Sequence, residues 1–159
     1  MRLIDENLQT FRKNYLLQSF VGAVMVMVFV LLADVIVSET VVASLGASTF
    51  IAMAMPKSKL AKPRYLIGGY ACGILWGITG NLILGWFPGV HMAVAAGVAV
   101  GMTMLFMVML DFEHPPSCAL ALGLMMAPDP YIAAMIAVPC IVAIAATVHL
   151  GKNKMINLI

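Results

Sequence analysis

A chain of 159 residues that is 63% hydrophobic and 10% charged sits far from the roughly 25% charged residues of an average soluble domain. A water-soluble globule of this size cannot hide so much apolar surface, and a net charge of +2 is too small to mark a nucleic-acid partner. The apolar residues fall in blocks of about 20, the length a helix needs to cross a hydrocarbon core about 30 Å thick, so lipid is the expected solvent.

In chain order, residues 1–14 place Leu3, Ile4, Leu8 and Phe11 at helical spacing with charges between them, which predicts a short amphipathic helix lying on the membrane surface. Asp5, Glu6, Arg12 and Lys13, with no small-residue cleavage site after them, argue against a removed signal peptide. Tyr15 to Val37 is the first expected span, with Asp34 in its last turn; Ser38-Glu39-Thr40 follows, then an apolar stretch from Val41 to Met55 that is short for a span. Pro56 closes it ahead of the densest basic cluster, Lys57, Lys59, Lys62 and Arg64. Tyr65 to Phe87 and Val90 to Leu110 are full spans joined by Pro88-Gly89. Asp111 to Pro116 then interrupts the chain, Ser117 to Ala127 is a second short apolar stretch, and Tyr131 to Leu150 is the last span before a tail at 151–159 with Lys152 and Lys154.

The halves 15–87 and 90–150 read alike: long span, acidic residue, short segment of small residues, proline, long span. If each short segment crosses, each half crosses three times and the second is inverted. The expectation is an all-α, polytopic transmembrane bundle of two inverted three-segment repeats, with four long spans and two short broken helices in one domain over 15–150. Six crossings put Arg12/Lys13, the 57–64 loop and the tail on one side; four spans with re-entrant short segments put the loop on the other. The positive-inside rule favours six, with both termini cytoplasmic and the chain in the cell's inner or plasma membrane.

Gly69, Gly73 and Gly77, and Ala93, Gly97 and Gly101, recur every four residues. Such stripes let helices approach closely, or else line a narrow pore. The 14 methionines read as adaptable apolar filling, and the three cysteines, Cys72, Cys118 and Cys140, as small packing residues, since neither zinc spacing nor a disulfide framework is present. No metal and no cofactor is expected. Asn81 lines a path or, preferably, bonds between helices; His91 and His149 sit near span ends.

The two interrupted segments carry the chemistry. Pro115 and Pro116 oppose a helix before them and suit the first turn of one after them, so a helix N-terminus is expected near Pro115 to Ser117. Ser44-Leu45-Gly46-Ala47-Ser48-Thr49 is read as a similar break with Ser44 as N-cap. Two opposed N-termini would face one small anion near the midplane. Ser44, Ser48, Thr49, Ser117 and Cys118 would offer donors, and Gly46 and Ala47 would admit close approach; alternatively these small residues only pack helices. His114 carries a proton with the anion or caps a helix; Glu113 and Glu39 are proton carriers or structural partners.

The run Glu113-His114-Pro115-Pro116-Ser117-Cys118-Ala119 resembles the HPP family of integral membrane proteins, named for that tripeptide. Ala43-Ser44-Leu45-Gly46-Ala47-Ser48 resembles the family's Ser-Phe-Gly-Ala-Ser segment, and Pro56 through Leu60-Ala61-Lys62-Pro63-Arg64 to Ile67-Gly68-Gly69 resembles its proline- and glycine-marked loop, in matching order. The chain departs from the pattern at Lys59 and Lys62, at Tyr70 where histidine is common, and at Ser117-Cys118 where Ala-Gly is common. The resemblance implies four described spans rather than six, and nitrite transport, as for relatives in plastids and cyanobacteria. The leading expectation is therefore a transporter or channel for a small monovalent anion, nitrite first, working as a homo-oligomer in the bilayer. A membrane scaffold or regulatory subunit, binding other helices through its small-residue faces, is the alternative. No nucleophile and base set or nucleotide loop appears, so no enzyme is expected.

Overall fold

The computed structural model describes residues 10–33 and 39–159 of the chain, and every regular element in them is helical. In order these are α1 (Arg12–Ala33), α2 (Glu39–Ala54), a 3-10 turn at Lys59–Ala61, α3 (Pro63–Trp86), α4 (Met92–Met109), α5 (Pro116–Met126) and α6 (Pro130–Gly151). Most of the expected surface helix over 1–14, and Asp34, lie outside the described residues. Where description begins, the chain runs straight into α1, the Phe11 carbonyl accepting from the N–H groups of Asn14 and Tyr15.

Four helices, α1, α3, α4 and α6, are long and apolar enough to cross a membrane. The 16 residues of α2 and 11 of α5 reach only about 24 and 16 Å at 1.5 Å per residue. Prolines set three of the starts: Pro63, Pro116 and Pro130 occupy first-turn positions of α3, α5 and α6, where a missing N–H costs nothing. Asp129 caps α6 by accepting from the N–H groups of Tyr131 and Ile132, each at 3.0 Å. At the end of α4, Asp111 takes a left-handed conformation (φ 54°). The Phe112 N–H returns to the Met107 carbonyl at 2.8 Å and that of Asp111 to Val108 at 3.3 Å, closing the helix.

Successive helices alternate in direction. Gln18 near the start of α1 donates to the Met53 carbonyl near the end of α2, while α5 runs parallel to α3. A Cβ added at Gly73 would stand 2.5 Å from the Ser117 carbonyl oxygen and one at Gly77 2.7 Å from that of Ala121, so these glycines let α5 lie directly on the α3 backbone. This is the close-packing use of the first stripe. On α4, a Cβ at Gly97 or Gly101 would meet nothing within 4 Å, and that part of the stripe faces away from the bundle.

The tail folds back instead of trailing. Asn14 Nδ2 donates to the Lys154 carbonyl (3.1 Å), the Lys57 N–H to Asn157 Oδ1 (3.1 Å) and the Leu158 N–H to the Ala54 carbonyl (2.8 Å). These bonds gather the start of α1, the 57–64 loop and the tail at one end of the bundle, so Arg12 and Lys13, the loop cations, and Lys152 and Lys154 share that basic end. The core is built where α2, α5, α3 and α6 pack together, α5 and α6 each touching both α2 and α3, around Leu45, Leu66, Leu120, Leu124 and Ile144. The outer faces are hydrocarbon, with Leu16, Phe20, Met104 and Met135 exposed.

Candidate functional site

Inside α2, Ser44 and Ser48 stand one turn apart on the buried face. In a lipid-facing bundle a buried hydroxyl needs a lateral partner. Tyr70 of α3 supplies it: its hydroxyl lies 2.6 Å from Ser48 Oγ, 3.1 Å from Ser44 Oγ and 3.0 Å from the Ser44 carbonyl. The loop between α4 and α5 adds His114, fully buried, with Nε2 2.7 Å from Ser48 Oγ and its ring 5.3 Å from that of Tyr70. His114 Nδ1 lies 3.0 Å from the carbonyl of Leu60, in the turn that precedes α3.

The proton positions follow from these contacts. The Leu60 carbonyl can only accept, so Nδ1 carries the hydrogen. Burial holds the His114 imidazole well below the usual range, at about 4, so it is neutral near pH 7 and its Nε2 is an acceptor. Ser48 therefore donates to Nε2, and the single Tyr70 proton is shared between Ser48 Oγ and the Ser44 carbonyl. Ser44 donates to the Pro116 carbonyl at 2.6 Å. The result is a neutral chain of oriented hydroxyls, Tyr70 to Ser48 to His114 to Leu60, in which each donor already has an acceptor.

Ser117 differs. Its hydroxyl is fully buried and has no hydrogen-bond partner. It lies beside Gly69, where a Cβ would come within 2.9 Å of Ser117 Oγ. The backbone around it is satisfied: the Ser117 N–H bonds the His114 carbonyl (2.9 Å), that of Cys118 the Pro115 carbonyl (3.0 Å), and the two prolines have no N–H. The positive end of the α5 dipole is present, but the free N–H donors expected of a helix start are consumed.

Three other expectations are corrected. α2 is continuous from Glu39 to Ala54, so Ser44 caps nothing; unbroken helix satisfies its own backbone where no water can, and the serine hydroxyls bond sideways instead. The two N-termini do not oppose each other at the midplane: α2 begins at the end opposite the basic one, α5 at the basic end. Gly46, Ala47 and Thr49 lie outside the cluster, with Ala47 exposed, Gly46 and Thr49 lining a groove against α1, and Thr49 Oγ1 donating to the Leu45 carbonyl at 2.9 Å. Ser44, Ser48, His114, Pro116 and Ser117 are brought together; Pro115 is the exposed cap of α5 and Cys118 is half-buried on the same helix.

Above the cluster, Lys59 Nζ grips Asp111 at 2.7 Å and Glu113 at 3.0 Å, Tyr65 donates to Asp111 at 3.0 Å, and Arg64 stands 3.8 Å from Asp111. Asp111, and after it Glu113, raise the Lys59 ammonium above its ordinary range, while Lys59, and after it Tyr65, hold the Asp111 carboxyl below its own. Glu113 is thus committed to an ion pair, and Glu39 lies exposed at the far end of α2. Of the four cations in the 57–64 loop, Lys59 and Arg64 pair with these two carboxylates, so this end of the bundle keeps a net positive charge. Asn81 bonds between helices, its Nδ2 donating to the carbonyls of Met125 (2.9 Å) and Ala127 (3.0 Å) at the end of α5. Among the described residues no three His, Cys, Asp or Glu gather as a metal site. The sequence marked Tyr70 only as a departure from the family's histidine and gave it no place in the site, and it did not point to the Leu60 carbonyl; the available signal was the Tyr70 hydroxyl within a run of small and apolar residues.

The family description "HPP, transmembrane region" matches residues 9–158. The chain belongs to the HPP family. No curated protein and no solved structure matches it. This HPP chain is a multi-pass membrane protein, and its His-Pro-Pro tripeptide supplies the cluster's imidazole, the cap of α5 and the carbonyl that receives Ser44.

Proposed function

We propose that this HPP protein transports a small monovalent anion, nitrite first, with the Ser117 hydroxyl and the neighbouring Ser44–Ser48–Tyr70–His114 cluster as its binding place. The observation that carries the reading is Ser117: a buried donor without an acceptor costs about 1–3 kcal/mol, and an anion relieves it. The hydroxyls of Ser44 and Ser48 would reach a guest only by giving up their bonds to the Pro116 carbonyl and His114 Nε2, while the α5 dipole favours negative charge and the basic loop raises the local anion concentration. The cluster has no formal charge of its own, which suits one negative charge better than two. Nitrite rests on the resemblance of the three sequence blocks. In this reading the long-short-long halves are inverted repeats, the basic end is cytoplasmic, the host is the inner or plasma membrane, the protein is a homo-oligomer, and no catalytic step is involved.

Uptake by liposomes containing the pure protein, run against nitrite, nitrate, chloride and sulfate, tests it. Nitrite uptake above empty liposomes, weakened in Ser117→Ala, is expected; no uptake with or without a pH gradient overturns it. The scaffold reading draws on one observation, the uncovered Gly97 and Gly101 of α4. Co-purification of a larger membrane partner that Gly97→Leu releases would favour it.

A further inference from the structure

Two kinds of neighbour surround the unpartnered Ser117 hydroxyl. α2 and α3 are unbroken helices packed on the start of α5: Ser44 donates to the Pro116 carbonyl, and a Cβ at Gly73 would stand 2.5 Å from the Ser117 carbonyl oxygen. Helices in lipid do not unwind to let a solute pass. The segment 111–115 between α4 and α5 is not helical and lies at the basic end, with its charged side chains in water. We propose that this segment is a lid over Ser117, with the Phe112 ring as its plug and Lys59 as its latch, and that lifting it admits the anion from the basic end. The inference deepens the transport reading and rests on it for what passes.

The plug is seated on two glycines. A Cβ at Gly68 would run into the Phe112 ring, and one at Gly69 would stand 2.9 Å from both the Phe112 carbonyl oxygen and Ser117 Oγ. Phe112 therefore borders the same stretch of α3 that Ser117 faces. The latch pins the chain on both sides of the ring: a single Lys59 Nζ holds Asp111 at 2.7 Å and Glu113 at 3.0 Å, the residues just before and just after Phe112. The Arg64 guanidinium adds a cation–π contact, 5.5 Å from the centre of the Phe112 ring. His114, bonded to Ser48 and to the Leu60 carbonyl, anchors the far end of the segment.

The latch is suited to opening. Its three side chains are about half exposed, so water replaces each partner as it parts, and such pairs are weak. The residue at position 111 separates the latch from the turn. Its φ of 54° closes α4, a place where glycine carries no Cβ penalty. Aspartate brings to that place a carboxylate that meets Lys59, Tyr65 and Arg64. Asp111→Gly therefore keeps the turn and removes the latch.

The test reads the lid without reading transport. Ser117→Cys, in a background lacking Cys72, Cys118 and Cys140, is treated in detergent with an anionic methanethiosulfonate, and slow modification is expected. Lys59→Gln, Asp111→Gly and Phe112→Ala should each speed it roughly tenfold, while Lys59→Arg keeps it slow. Loss of a cation alone would slow an anionic reagent, so acceleration in Lys59→Gln reports opening. Lys62→Gln removes the same charge from the same loop and should give no acceleration. Nitrite uptake is measured on the latch variants with Ser117 intact. Modification that follows the latch, without uptake in any of them, supports the lid and overturns the transport reading. Uptake with modification indifferent to Lys59 and Phe112 overturns the lid and leaves that reading standing. If Ser117→Cys does not fold, hydrogen exchange of Asp111 to His114 decides: faster exchange in Lys59→Gln than in the parent, with α5 beyond Leu120 unchanged, supports the lid, and equal exchange overturns it.

Discussion

Ser117 and His114 carry opposite kinds of strain. The Ser117 hydroxyl is desolvated without compensation, so removing it relieves a cost of about 1–3 kcal/mol. Ser117→Ala should therefore leave thermal stability in detergent unchanged or raised, while nitrite uptake falls by about two- to tenfold if that hydroxyl donates to the anion. A variant that is destabilised would show that Ser117 has a structural partner. His114 is fully bonded but buried, and its imidazole is held down to about 4 by loss of solvation. Its unfolded value is about 6.5. Between those values the unfolded chain binds the proton and the folded one does not, so stability is full above pH 6.5 and falls as the pH drops toward 4, by on the order of 3 kcal/mol. Denaturant melts at stepped pH should show the loss beginning above the carboxylate range, and His114→Gln should abolish that part of it. A parent whose stability is flat from pH 7 to 5 would mean that the imidazole is solvated.

At the scale of helices, contact distance separates two glycine stripes that look the same in sequence. A methyl at Gly73 would press within 2.5 Å of the Ser117 carbonyl, which is backbone and cannot yield without moving α5, whereas one at Gly101 enters open space. Gly73→Ala should cost about 1–3 kcal/mol by overpacking, and Gly101→Ala should gain up to about 1 kcal/mol from helix propensity. Unfolding of the two variants in the same detergent compares them directly, and equal effects would refute the α3–α5 contact. The stripe period was legible in the sequence; which face it serves was not, because that depends on a helix some 45 residues away. The helix ends were read within a few residues because prolines mark three of the starts and apolar length marks the spans. The Ser44 to Thr49 segment was misread for a physical reason. Ser-Leu-Gly-Ala-Ser suits a helix break in water and equally suits a close-packed helix in lipid, and only the Tyr70 hydroxyl, brought in from α3, distinguishes the two.

At the scale of the molecule the alternation of the six described helices makes a statement about sides that hydropathy alone left open. The four long spans were plain from apolar length, but the short helices, at about 24 and 16 Å, are ambiguous until their neighbours are seen. Bonds from Asn14 to Lys154 and from Lys57 to Asn157 tie the start of α1, the 57–64 loop and the tail into one end, and the turn at Pro88-Gly89 lies at the other. Single cysteines at Lys62, Asn153 and Gly89, all exposed, placed in a background lacking Cys72, Cys118 and Cys140, convert this into an accessibility experiment. An impermeant maleimide added to intact cells should label Gly89→Cys alone. Lys62→Cys and Asn153→Cys should react only after the membrane is opened, because the positive-inside rule places their basic neighbourhoods in the cytoplasm. Labelling of all three in the reverse sense would keep the fold and overturn the orientation. Labelling of Lys62→Cys together with Gly89→Cys, and not with Asn153→Cys, would contradict the packing itself, since the loop and the tail could not then share an end through the Lys57 to Asn157 bond.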